Sequence, residues 1–281
     1  MNLMGIVDDL GFLNVIAISA IVFIGLPHGA MDGAVAYRLG WMKNFKKSSL
    51  FLLTYVLISL LVVLFWITFP VIALIGFLGI SMIHFGIGDV GVNEDSRAWI
   101  EVIAHGGVVI CGISMSHMAS VDEIYSALIG GKNTSWIWGF VYVTSVATVG
   151  ALLYCVARFN VNEERRKTVF ELLSLGIIFY VLPPLLAFAF YFCFVHSIRH
   201  FKSIYASLSD GISNKNIYWL TFLFSIITWS IGGLLFVLNQ GSIEIETSLL
   251  RIVFIGLASL TVPHMILIDG WVKPERSYSQ M

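Results

Sequence analysis

The chain is poor in charge. Only 12% of its 281 residues are Asp, Glu, Lys or Arg, against about 25% in a soluble domain. The signs nearly cancel, 16 basic against 17 acidic, which excludes a general basic field for nucleic acid. Cysteine is also scarce. Cys111, Cys155 and Cys193 lie inside apolar runs with no CxxC, which argues against a disulfide framework and reads as small buried hydrophobes. The N-terminus has no basic n-region; it carries Asp8 and Asp9, and no small-residue cleavage site follows. It therefore reads as a retained first transmembrane helix rather than a cleaved leader. There is no Pro/Gly/Ser linker, low-complexity segment, long repeat or appended soluble stretch. A single integral-membrane helical domain over residues 1–281 is expected.

What is abundant is hydrophobicity, at 58% of residues. A membrane span needs about 20 largely apolar residues. Runs occur near residues 11–28, 49–69, 71–87, 100–118, 136–157, 165–182, 184–200, 217–238 and 249–268. Pro70 divides a charge-free stretch too long for one crossing, and Pro183–Pro184 divides another. Cytoplasmic loops carry an excess of Lys and Arg. With nine spans and the N-terminus outside, 14 of the 16 basic residues fall inside, with Lys132 and Arg251 as exceptions. The outer loops near 119–135 and 239–248 carry Asp122, Glu123, Glu244 and Glu246. Merging either Pro-divided pair scrambles that sorting. The expected fold is all-α: a polytopic bundle of about nine spans, N-terminus outside, C-terminus cytoplasmic, multi-pass in the cell membrane.

On this topology six of the seven histidines share one depth near the inner face: His28, His84, His105, His196, His200 and His264. His117, at an outer helix end, reads as structural. A single histidine in a helix is more often a hydrogen-bonded packing residue. Ionisable groups inside a membrane are nevertheless costly and usually functional, and six from five helices at one level point to a cluster. Histidine is the commonest metal ligand. His196 and His200, four apart in "HSIRH", lie on one helix face, and His28 and His84 arrive at the same depth. Four imidazoles suit a borderline cation: iron, copper or zinc. Asp32, Asp89 and Asp269, each following a histidine by four or five residues, are either imidazole-orienting acceptors or ordinary interfacial aspartates. The tract "PPLLAFAFYFCFVH" places Phe188, Phe190, Tyr191, Phe192 and Phe194 before His196. Packing or lipid contact is the default role for these rings; Phe188, Tyr191 and Phe192 are also candidates for the wall of a tunnel taking a long apolar substrate.

The motifs "GLPHGAMD", "MIHFGIGD", "FVHSIRH" and "TVPHMILID", in this order from the first span to the ninth, resemble the Brp/Blh family of β-carotene 15,15′-dioxygenases, often associated with microbial rhodopsins. The PHGAxD element is specific; HxxxH is not. The resemblance implies a membrane enzyme that cleaves the central double bond of β-carotene with O2, yielding two all-trans-retinal molecules, with Fe2+ held by histidines. Carried over by motif, the ligands are His28, His84, His196 and His200. His105 and His264 are then second-sphere or pocket residues, although His264 could replace one of the four. Three other classes compete. A di-iron membrane hydroxylase or desaturase uses several HxxxH and HxxHH boxes, whereas this chain has one HxxxH and no HxxHH. A haem redox protein would show a Soret band. A transporter would place polar groups at mid-membrane, where this chain is almost purely apolar.

Overall fold

The computed structural model describes residues 11–90, 98–159, 163–209, 211–239 and 244–268, with only the backbone at His28 and Glu164. Among the described residues there is no strand. Among the described residues eight helices are long and apolar enough to cross a membrane: Phe12–Arg38, Phe45–Thr68, Pro70–Val90, Ala98–Ser116, Ser135–Ala157, Pro184–Leu208, Asn214–Leu238 and Ile245–Leu267. The run expected at 165–182 is also helical, Glu163–Val181, but it opens with "EERRK" and is less apolar. Helices suit this composition because a spanning segment must satisfy its backbone internally. Their outer faces are apolar too. Leu53, Leu57, Leu60, Leu64 and Ile67 of Phe45–Thr68 are all more than half exposed, the pattern of a surface meant for lipid rather than water.

The helix boundaries have local causes. Asn44 caps Phe45–Thr68 by accepting from the Lys47 backbone N–H at 3.0 Å, and the Ser213 side chain does the same for Asn214–Leu238. Pro70 and Pro184 each open a helix, the position where a missing N–H costs least. The two predicted Pro breaks are thus real helix ends. The expected outer loop at 119–135 is different: it contains the helix Met118–Ile129. Val121, Tyr125, Leu128 and Ile129 are buried at helical spacing. Gly130 ends the helix in a left-handed conformation at φ +79°, which glycine adopts without penalty. Among the described residues, π turns occur at Ile21–Gly25, Val108–Gly112 and Tyr191–His196. Such turns frequently mark functional sites, and the third includes His196.

The described chain forms two compact units: residues 19–69 with 200–268, and residues 11–18 with 70–199. In the first, Met31, Ala34, Val35, Ile204, Leu208, Ile217 and Leu267 make a hydrophobic core. In the second, Pro70–Val90 packs closely along Ala98–Gly107. Glycines permit the approach: a Cβ on Gly106 would lie 2.6 Å from the carbonyl carbon of Met82, and one on Gly86 would lie 2.7 Å from Val102 Cγ1. Small residues at such crossings let backbones meet where lipid provides no hydrophobic drive.

Candidate active site

Within the first unit, Asp32 is 1% exposed. It opens the short helix Asp32–Arg38, directly after the 3-10 turn Leu26–Met31 that carries His28. Its Oδ1 is 2.7 Å from Nδ1 of His264, and its Oδ2 accepts from the Tyr55 hydroxyl at 2.9 Å. An ionised carboxylate only accepts, so the imidazole carries its proton on Nδ1 and keeps its lone pair on Nε2. The His264 ring lies 4.9 Å from that of His200. Both are buried.

Within the second unit, the His84 and His196 rings are 5.0 Å apart, edge to face. Asp89 Oδ2 accepts from the Tyr191 hydroxyl at 2.6 Å. Asp89 Oδ1 lies 3.8 Å from Nδ1 of His196, an ion-pair distance rather than a hydrogen bond. Arg199 faces Asp89 at 3.6 Å and pairs with Glu171 at 2.6 Å. His105 is buried close by, and its Nδ1 has no hydrogen-bond partner among the described residues. One ligating atom each from Asp89, His105 and Glu171 falls within a 4.8 Å cluster. A cation there would sit against the Arg199 guanidinium. Two unit charges 4 Å apart repel by about 4 kcal/mol at an effective dielectric near 20. The group is better read as an ion-pair network in which Arg199 already supplies the positive charge.

Aromatic rings surround His196. Phe192 stacks nearly parallel to it at 6.2 Å, and Phe85 meets it edge-on at 4.8 Å. Phe188 stacks on Phe192 at 5.4 Å. Tyr191, its ring 6.2 Å away, and Phe192 thus flank the histidine, with Phe188 one ring further out. A separate apolar cavity of about 540 Å³ is lined by Cys111, Thr148, Cys155, Gly176 and Tyr180 among others, and no histidine lines it.

The predicted residues fall as follows. His84 with His196, and His200 with His264, are brought together in pairs. Asp32 and Asp89 each face an imidazole. The His28 side chain and Asp269 lie outside the described residues. His117 bonds the Phe179 carbonyl at 2.8 Å, a structural role. Tyr55, Glu171 and Arg199 were missed. Arg199, inside "HSIRH" itself, was the one with a sequence signal: a cation at the end of an apolar run.

The family model described as β-carotene 15,15′-dioxygenase matches residues 19–272. The chain belongs to this family. Among the family's curated proteins, the β-carotene 15,15′-dioxygenase of an uncultured marine bacterium (66A03) is 36% identical over 93% of this chain and 94% of its own length. A probable β-carotene 15,15′-dioxygenase Blh of Halobacterium salinarum is 27% identical over 65% of this chain and 59% of its own. No solved structure matches. Membership makes the chain an oxidoreductase.

Proposed function

We propose that this chain cleaves β-carotene at its central 15,15′ double bond with O2, releasing two molecules of all-trans-retinal, and that it does so as a nine-span protein of the cell membrane with its N-terminus outside. Family membership over residues 19–272 carries this reading. The donor chemistry suits Fe2+: the described imidazoles are buried and paired about 5 Å apart, and His196 and His264 each face a carboxylate, surroundings that imidazole-bound iron favours. By motif, His28, His84, His196 and His200 would hold it, and iron so held would supply activation of O2.

The chain's own residues position and exclude. β-Carotene is a rigid hydrocarbon that dissolves in the bilayer, so a site reached from lipid avoids desorbing it into water. Phe188 stacks on Phe192 and Phe192 on His196, an aromatic wall suited to a polyene. Which double bond reacts is then a matter of where those walls hold the chain. Asp89, with Tyr191 donating to it, restrains the His196 ring from behind. The product is the chromophore class of microbial rhodopsins, and a functional link to such a protein is part of the proposal.

The test is expression in cells that accumulate β-carotene, with pigments extracted and separated. Loss of orange colour with retinal appearing supports the reading. Persistent β-carotene without retinal, from well-expressed protein, overturns it. A Soret band in the purified chain would favour a haem carrier instead.

A further inference from the structure

We infer that His264 is a ligand of the metal, held in register by Asp32 with Tyr55 behind it. This rests on the iron reading above and extends it to a histidine that the motif carry-over leaves outside the ligand set. The first observation is tautomeric. Asp32 Oδ1 accepts a hydrogen bond from Nδ1–H of His264 at 2.7 Å, so Nε2 is the nitrogen on the side away from the carboxylate. A histidine ligand that gives its other N–H to a carboxylate is the usual support of a bound metal.

The second observation is charge. Asp32 is 1% exposed. Among the described residues no Lys or Arg pairs with it; its only ion-pair partner is His264. A buried carboxylate without a countercharge is costly. Asp89 faces the same problem and has Arg199. A divalent cation on Nε2 of His264 would neutralise Asp32 through the ring.

The third observation is repetition. Tyr55 donates to Asp32 and Asp32 backs His264; Tyr191 donates to Asp89 and Asp89 backs His196. Each backed imidazole has a second ring at the same spacing, His200 at 4.9 Å and His84 at 5.0 Å. His264 thus shares with His196 a facing carboxylate, a tyrosine donating to that carboxylate, and a neighbouring imidazole. It also follows Pro263, which interrupts the hydrogen-bond ladder of Ile245–Leu267.

The experiment uses the full chain in detergent, with Co2+ as an optical probe and anaerobic Fe2+ titration for stoichiometry. His264→Ala is expected to weaken Co2+ binding about 100-fold and to alter the d–d bands. Asp32→Asn should weaken it about 10-fold, the lower end for loss of an orienting partner, with the band pattern kept. Tyr55→Phe should lie between Asp32→Asn and wild type. Added imidazole should restore the bands of His264→Ala. His117→Ala, bonded elsewhere, should match wild type. Wild-type affinity and spectrum in folded His264→Ala overturn the inference. Should that variant not fold, unchanged Co2+ affinity in the near-isosteric Asp32→Asn overturns it equally. A wild-type chain that makes retinal yet binds neither ion would sink the iron reading itself, a separate failure.

Discussion

Gly106→Ala tests whether the close crossing of Pro70–Val90 and Ala98–Gly107 sets the site. The added Cβ would stand 2.6 Å from the Met82 carbonyl carbon and 3.0 Å from its Cα, where ordinary contact begins at 3.4 Å. These are backbone atoms and cannot rotate away, so the helices must part by about 0.8 Å or more. Overpacking of this kind costs about 1–3 kcal/mol. The functional cost should be larger. His84 lies between Met82 and Gly86 on one helix, and His105 adjoins Gly106 on the other. A misplacement near 1 Å can cost about 100-fold in rate. The assay is retinal yield per unit of expressed protein in a β-carotene background, alongside the thermal midpoint of the purified chain. Gly76→Ala, on the same Pro70–Val90 helix with nothing within 4 Å of its Cβ, is the matched control and should behave as wild type. Equal yield and midpoint for Gly106→Ala and Gly76→Ala would refute the reasoning.

Tyr191→Phe removes a hydrogen bond to the buried Asp89 carboxylate and should cost about 1.5–3 kcal/mol of stability, read by thermal melting, with a fall in retinal yield. Asp122 accepts from Thr134 and Trp138, which hold its carboxyl below the usual range. That stability is present above the unfolded carboxyl pKa and lost as pH falls through the folded one. Asp122→Asn should therefore be less stable near neutrality, by under about 1 kcal/mol for so exposed a group, and the gap should close in acid melts. A reporter fused after Lys215 should read cytoplasmic; an outside signal would reject the nine-span topology.

Much of the helix pattern is legible in sequence because it is local. Apolar runs of span length, Pro70 and Pro184 as helix starts, and the HxxxH spacing need only the helical repeat. The Met118–Ile129 helix was missed because its buried stripe is short and sits among Asp122, Glu123 and Ser126, a mixture that reads as loop. The aspartates were legible as companions of histidines, but not the histidines they serve. Asp32 stands four residues after His28, yet its described partner is His264, 232 positions away.

By itself the sequence determined an all-helical chain with runs of membrane-crossing length and four motifs that place it among the carotene dioxygenases. Those properties follow from hydrophobic periodicity and from residues close together in the chain. The tertiary structure alone decided which imidazole each carboxylate orients, that Tyr55 and Tyr191 stand behind them, that Arg199 neutralises Asp89, and that Gly86 and Gly106 let two helices touch. A hydrogen bond or a backbone contact depends on separations of a few tenths of an ångström between distant segments, and only packing sets those.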